Sequence, residues 1–188
     1  GLRLSERNIQ SEVRGDEIDF NIQRLGLWIK YNLKSAISRE EWDRLQVPAL
    51  PKLKGKLFAG IKYGYDGTNV ALSIAVKTED DKVFVEAIDC RSIRNGNKWI
   101  IDFLLKSDVQ EVVIDGASGQ NILAEDMKKA KLKKPLLPTV KEYIVASSTF
   151  EQSLFQENIS HAGQPSLAEV VTNSEKRTIG TQGGFGYK

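Results

Sequence analysis

Two features of the sequence predict an α/β protein in which helices cover both faces of a mixed sheet. The first is a group of three consecutive strand-like segments, and the second is the alternation of amphipathic helices with short apolar strands that follows them. A chain of 188 residues can hold one domain of common size with an appendage. Its content of 40% hydrophobic and 28% charged residues is typical of a soluble globular protein.

The first 47 residues are predicted to form short helices that precede the main domain. Apolar residues recur there at three- and four-residue steps, and Ser38 and Glu41 have the spacing of a capping box. Pro48 and Pro51 then interrupt any helix. The sequence therefore predicts a linker over residues 48–56 and a main domain over residues 57–188.

The three strand-like segments are predicted over residues 57–63, 69–76 and 82–89. The dipeptide Asp66-Gly67 between the first two is typical of a hairpin turn. A helix over 97–106 follows, then a buried strand over 109–114, a helix over 118–131, a short strand over 136–140 and a helix over 143–157. This β-β-β-α-β-α-β-α order is that of the ribonuclease H-like fold.

Nucleases with this architecture gather carboxylates where strand ends meet, and two divalent ions held there carry out the hydrolysis. Asp115 directly follows the buried strand, so it is the first candidate catalytic residue and metal ligand. Asp66 and Asp89 are further candidate ligands, although each is equally compatible with a turn aspartate. His161 is predicted in a loop between two helices, where it could contact water, phosphate or metal, or could simply be exposed.

The ligand types narrow the choice of metal. One cysteine and one histidine cannot build a zinc cluster, whereas Mg²⁺ or Mn²⁺ suits carboxylate oxygens. The net charge of +2 is too small to establish a polyanionic partner. Five lysines are nevertheless grouped and could contact nucleic acid, if they are not simply a solvated face: Lys128, Lys129, Lys131, Lys133 and Lys134.

No segment is apolar enough to span a membrane, and residues 1–14 lack the apolar stretch of a secretory signal. We therefore expect a cytoplasmic protein without a membrane partner.

The stretch from Trp28 to Lys188 resembles the large terminase subunits of tailed bacteriophages. The resemblance rests on the order and intervals of several short motifs, none of which is specific alone. These are Ser38 to Trp42, Phe58-Ala59-Gly60-Ile61-Lys62, Tyr65-Asp66-Gly67-Thr68, Val70-Ala71-Leu72, Val112-Val113-Ile114-Asp115-Gly116, His161-Ala162-Gly163-Gln164-Pro165-Ser166-Leu167 and Lys176-Arg177-Thr178-Ile179-Gly180.

The resemblance implies the C-terminal, metal-dependent endonuclease of a packaging motor, which cuts concatemeric viral DNA in the host cytoplasm. It implies double-stranded DNA, the portal and the small terminase subunit as partners. Asp115 would be a metal ligand, Asp66 a second ligand and His161 a residue near the cleft, while Lys176, Arg177 and the grouped lysines would contact phosphates. No Walker-type phosphate loop occurs, so residues before Pro48 would be the tail of an ATPase domain.

The sequence departs from the family at two positions. Lys62 stands where many members carry a metal-binding aspartate, and its charge would oppose a metal. A further family carboxylate is expected after the glycine-rich loop at residues 183–187, and the sequence ends at Lys188, so a fragment is suspected.

Two other classes of function remain open. A catalytically silent ribonuclease H-like module that binds DNA or the portal is favoured by Lys62 and by the missing carboxylate. Residues 65–69 between two strands are also similar to the first phosphate loop of actin-like and sugar-kinase folds, although those proteins need two such domains.

Overall fold

A computed structural model of the chain describes residues 35–181 and 183–188, and residues 35–188 form one compact unit. Trp28 and the predicted helices before Ser35 lie outside the described residues. The helices are α1 (Arg39–Asp43), α2 (Lys98–Lys106), α3 (Gln120–Lys129), α4 (Val140–Phe155) and α5 (Pro165–Thr172), with a 3₁₀ turn at Ile93–Asn95. The strands are β1 (Leu53–Tyr63), β2 (Asn69–Thr78), β3 (Val83–Ser92), β4 (Val109–Asp115), β5 (Ile159–His161), β6 (Lys176–Ile179) and β7 (Gly184–Tyr187).

Five strands form a mixed sheet in the order β4-β1-β2-β3-β5. Strands β1, β2 and β3 are antiparallel neighbours, whereas β4 runs parallel to β1 and β5 runs parallel to β3. A separate hairpin of β6 and β7 packs beside α4. The predicted mixed sheet with flanking helices is confirmed.

Two apolar clusters hold the helices to the sheet. The first joins alternate residues of β1, β2 and β4, among them Ile61, Leu72 and Ile114, to the buried faces of α2 and α3. The second joins Ile159 of β5 to α1, α4 and α5. Because strand side chains alternate between faces, residues next to the first cluster along β1 and β4 point to the other face of the sheet.

The segment before the sheet belongs to the described unit. The capping box predicted at Ser38 is present, since the Ser38 hydroxyl accepts a hydrogen bond from the Glu41 N–H and the Glu41 carboxylate accepts one from the Ser38 N–H. Trp42 is buried in the second cluster. Strand β1 begins at Leu53, inside the predicted linker. The predicted division into domains at residues 48–56 stays a prediction.

Two predictions of local structure were wrong. Residues 136–140 do not form a strand, because Pro135 and Pro138 lack the N–H donors of a continuous ladder; only Leu136 makes a bridge, to Val113, and Val140 already begins α4. The glycine-rich residues 183–187 are largely strand β7 rather than a loop. Gly184 and Gly186 lie against Ile144 and Tyr143 of α4, where a larger side chain would collide.

The described part of the chain contains no helix that is both long and apolar enough to cross a membrane.

Candidate active site

The carboxyl ends of the parallel strands β1 and β4 place two opposite charges side by side. Lys62 is in register with Asp115. Their neighbours Ile61 and Ile114 are buried in the first cluster, so Lys62 and Asp115 lie on the opposite face, toward α4. The Lys62 side chain is 53% exposed and the Asp115 side chain is 31% exposed. Both can therefore be reached by a ligand from solvent.

Lys62 and Asp115 form a direct ion pair between the ammonium and one carboxylate oxygen. The ammonium also lies 5.4 Å from the centre of the Tyr143 ring on α4. The Tyr143 hydroxyl in turn donates a hydrogen bond of 3.0 Å to the Tyr187 carbonyl of β7. The aromatic ring thus packs over the lysine, and the negative charge of Asp115 is balanced by a cation of the protein itself.

Asp66 lies in the β1–β2 turn at the same end of the sheet. Its two oxygens accept hydrogen bonds from the Thr68 N–H (3.0 Å) and hydroxyl (2.8 Å), and these bonds lower the pKa of the exposed carboxyl. The turn contacts the loop after β4, where the Ser118 hydroxyl donates to the Gly64 carbonyl at 3.3 Å. Asp66 and Asp115 therefore lie at the same edge of the sheet, and the hydrogen bonds of Asp66 stabilise the β1–β2 turn.

Asp89 lies on the other side of the sheet. It is in register with Leu72, whose side chain belongs to the first cluster. Arg91 donates a hydrogen bond of 2.6 Å to its carboxylate, which lowers the pKa of Asp89, and the Arg91 guanidinium lies 4.9 Å from the Trp99 ring of α2. Two strands separate β3 from β4. The structure therefore does not bring Asp89 together with Asp115.

His161 is not in a loop, as the sequence suggested, but in strand β5, where it is 1% exposed. Its ring stacks on Trp42 at 4.1 Å, Nε2 bonds the Trp42 carbonyl at 2.9 Å, and the Gly163 N–H donates to Nδ1 at 3.0 Å. Four strand spacings, roughly 19 Å, separate β5 from β4. The buried ring has its polar atoms satisfied far from Asp115, so we leave His161 out of the candidate site.

The basic residues predicted to contact nucleic acid lie at the end of α3 and beyond it, and on strand β6. Lys128 and Lys129 end α3, which starts just after Asp115 and is about 15 Å long, and Lys131, Lys133 and Lys134 follow it toward the start of β4. On β6, the Lys176 ammonium pairs with Glu151 and lies 4.5 Å from the Phe185 ring, whereas Arg177 is exposed. Their contact with DNA stays a prediction.

The described residues do not fit a two-metal centre. Within residues 35–181 and 183–188, no group of three or more histidine, cysteine, aspartate or glutamate side chains is arranged to hold a metal ion. Asp115 is paired with Lys62, whose charge repels a divalent cation at that carboxylate. Asp115 and Asp66 remain the two predicted carboxylates at this edge.

Comparisons with known proteins place the fold. No family model matches the sequence, and no curated protein matches it significantly. Among solved structures, the HK97 bacteriophage large terminase matches 98% of the chain with a TM-score of 0.65 at 16% identity. The chain has the fold of a phage large terminase nuclease domain. It spans about half of the HK97 protein, since the match covers 47% of that chain.

Two further terminase structures agree. The large terminase nuclease from thermophilic phage G20c matches 79% of the chain with a TM-score of 0.54 at 12% identity, and the match covers 86% of that nuclease. The nuclease domain of the large terminase subunit of bacterial virus Sf6, in a structure with manganese and β-thujaplicinol, matches 81% with a TM-score of 0.55 at 12% identity, covering 86% of that domain. A related Sf6 structure contains calcium.

Tyr143 and Tyr65 are two aromatic residues at this end of the sheet to which sequence reasoning assigned no role of their own. Tyr143 lies on α4, and nothing in the sequence pattern of that helix indicates its contact with Lys62. Tyr65 stands next to Asp66 in the β1–β2 turn and is fully exposed. An aromatic residue inside a turn motif was the only available signal.

Proposed function

We propose that this chain is the DNA-cutting domain of a phage large terminase, an endodeoxyribonuclease that acts on concatemeric double-stranded DNA in the bacterial host cytoplasm. One observation carries the proposal. Asp115 is a solvent-accessible carboxylate at the end of β4, next to the end of β1, in a sheet that matches terminase nucleases. A carboxylate at this edge is placed to act as a general base in the hydrolysis of a phosphodiester.

The positive and negative side chains of the site have different proposed roles. The Lys62 ammonium attracts a DNA phosphate to the edge and holds the carboxylate of Asp115 in one position. The Asp115 carboxylate takes a proton from a water that attacks the phosphorus, the bond from phosphorus to the leaving sugar oxygen breaks, and that oxygen takes a proton from solvent. Tyr143 limits the positions of the Lys62 side chain by packing against it.

Mg²⁺ or Mn²⁺ is the proposed cofactor because the similar Sf6 domain has been seen with manganese. The described side chains disagree with this part of the proposal, since Lys62 holds the carboxylate that a metal would need. We therefore derive no hydrolytic step through a metal. Binding of Mn²⁺ by calorimetry, in wild type and in Lys62→Ala, measures directly whether the lysine opposes the ion.

The test of the nuclease is conversion of supercoiled plasmid to nicked or linear DNA in Mn²⁺, Mg²⁺ or EDTA. We expect Asp115→Asn to lose about 100-fold or more of the activity, the scale of a lost proton-transfer group. Asp89→Asn is the matched control, because Asp89 is an accessible carboxylate that faces α2 instead. Equal activity of wild type and Asp115→Asn would show that Asp115 is not a catalytic residue.

A second candidate is a catalytically silent module that binds DNA or the portal, and the Lys62–Asp115 ion pair specifically favours it. It predicts retained DNA binding without cutting in either metal, for wild type and for Lys62→Ala alike. The portal and the small terminase subunit are proposed partners in both cases. Their binding can be measured by co-sedimentation with the purified chain.

A further inference from the structure

Tyr65 is a large aromatic side chain that the fold leaves entirely in solvent. Its relative exposure is 101%, whereas the other exposed large apolar residues among those described range from 37% to 69%. Single exposed apolar residues are common on proteins, so exposure alone says little. What distinguishes Tyr65 is the rigidity and the location of the turn that carries it.

The β1–β2 turn is held by a dense set of hydrogen bonds. The Gly64 N–H donates to the Asn69 carbonyl at 2.8 Å, and the Gly67 N–H donates back to the Gly64 carbonyl at 3.0 Å. The Asp66 carboxylate closes the turn by accepting from the backbone and the hydroxyl of Thr68. The backbone at Tyr65 is thus already ordered. Binding of a ligand to the ring would therefore cost mainly the conformational entropy of two side-chain torsions.

The turn stands beside the candidate site. Ser118, in the loop directly after Asp115, donates a hydrogen bond to the Gly64 carbonyl, and Gly67 approaches the same serine. Tyr65 therefore lies in a turn at the same edge of the sheet at which Lys62 and Asp115 would meet a phosphate. Its neighbour Asp66 is a carboxylate, which repels phosphate, so the Tyr65 ring is better suited to an uncharged partner than to the DNA backbone.

We propose that Tyr65 stacks on an unpaired nucleobase beside the phosphate held at Lys62 and Asp115, so that the preferred substrate is duplex DNA with a locally unpaired base at the site. The inference rests on the proposed function. Bases within an intact duplex hide their faces by stacking on each other, whereas an unpaired base presents a face to an aromatic ring. Stacking of this kind tolerates any base, so Tyr65 would select DNA structure and not sequence.

The test uses the whole chain in EDTA, so that binding is measured without cutting. A short duplex that carries one bulged 2-aminopurine is compared with a fully paired duplex, by anisotropy for affinity and by 2-aminopurine fluorescence for stacking. We expect wild type to prefer the bulged duplex and to quench the probe. Tyr65→Ala should lose this preference by roughly 5- to 100-fold, while Tyr65→Phe keeps the preference and the quenching.

Phe155→Ala is the matched control, since Phe155 is an exposed aromatic at the far end of α4 and should leave the preference unchanged. Retention of the preference by Tyr65→Ala overturns the proposal, and so does its loss in Tyr65→Phe, because the hydroxyl and not the ring would then be responsible. If wild type binds DNA without any preference, the stacking fails but the proposed function stands. If wild type binds neither duplex, the proposed function fails, and the stacking with it.

Discussion

The two regions that hold the predicted polar site residues Asp115 and His161 differ in almost every physical respect. At the carboxyl-end site, formed by Lys62, Asp66 and Asp115, the charged groups reach solvent and each has capacity for a further partner. At the β5 corner, formed by Trp42, Gln46, His161 and Gly163, the histidine is buried and both ring nitrogens are bonded. A polar residue in a sequence motif can thus bind a ligand only where the fold leaves its side chain exposed to solvent.

Replacement of the buried histidine separates the two regions most strongly. His161→Ala should lower the free energy of unfolding by about 3 kcal/mol, because it removes a ring that stacks on Trp42 and leaves the Gly163 N–H without its partner. Asp115→Asn should change it by less than about 1 kcal/mol, since an exposed ion pair contributes little. Urea unfolding of both variants measures the difference. A His161→Ala protein that keeps its stability but loses DNA cutting would instead return His161 to the site.

Two glycines, one in each region, should differ in how much their replacement by alanine lowers the free energy of unfolding. Gly116 follows Asp115 with φ of +114°, and a Cβ there would lie 2.6 Å from the Tyr63 carbonyl oxygen, so Gly116→Ala should cost about 2 kcal/mol or more. Gly163→Ala should cost about 1 kcal/mol, because φ is +75° and the obstructing atoms belong to the movable end of the Gln46 side chain. Thermal unfolding of the two variants measures the two losses of stability, and equal losses would contradict this ranking.

Tyr63, next to Lys62 but on the core face of β1, makes the stability of the fold depend on pH. Burial, and then the charge of Asp126, raise the pKa of Tyr63 from 10.0 to about 12. The folded state therefore retains a proton that the unfolded chain loses above pH 10. This stability is fully present below pH 10 and is lost as the pH rises toward 12, by about 1.4 kcal/mol per pH unit.

Tyr63→Phe isolates this effect. At pH 8 the variant should be about 1 kcal/mol less stable than wild type, since the 2.7 Å hydrogen bond to Asn97 is lost. By pH 11 the deficit should have disappeared, because only wild type has a phenol that ionises on unfolding. Urea unfolding of both proteins at the two pH values gives the comparison. A deficit that is constant with pH would mean that Tyr63 titrates normally in the fold.

These contrasts also show what the sequence could and could not predict. The meander and β4 were predictable because period-two alternation and a buried apolar run depend on local patterning. Strand β5 has three residues, one of them a histidine, so its pairing with β3 left no periodic signal. The position of Asp115 followed from the strand it ends, whereas the face of Asp89 depends on the irregular register between Leu72 and Ser73 of β2.

The Lys62–Asp115 pair lies between these cases. The sequence indicated a lysine where a ligand was expected, and it indicated Asp115 at the end of β4. Their adjacency required the parallel pairing of β1 with β4, a contact between residues far apart in the chain. The contact with Tyr143 required the position of α4 as well, which no local pattern contains.

The smallest expected effect concerns the lysines at the end of α3 and just beyond it, which remain a predicted DNA contact; α3 begins shortly after Asp115 and is about 15 Å long. Replacing Lys128, Lys131 and Lys133 by alanine should change the free energy of unfolding by less than about 0.5 kcal/mol, since all three are exposed. If each contacts a phosphate, the slope of log affinity against log salt should fall by about 0.9 per lysine, while the cutting rate at saturating DNA stays unchanged. An unaltered slope would assign the lysines to a solvated face. A reduced cutting rate at saturation would mean that DNA bound at this distant surface is positioned for Asp115, and the functional region would then extend along the whole of β4.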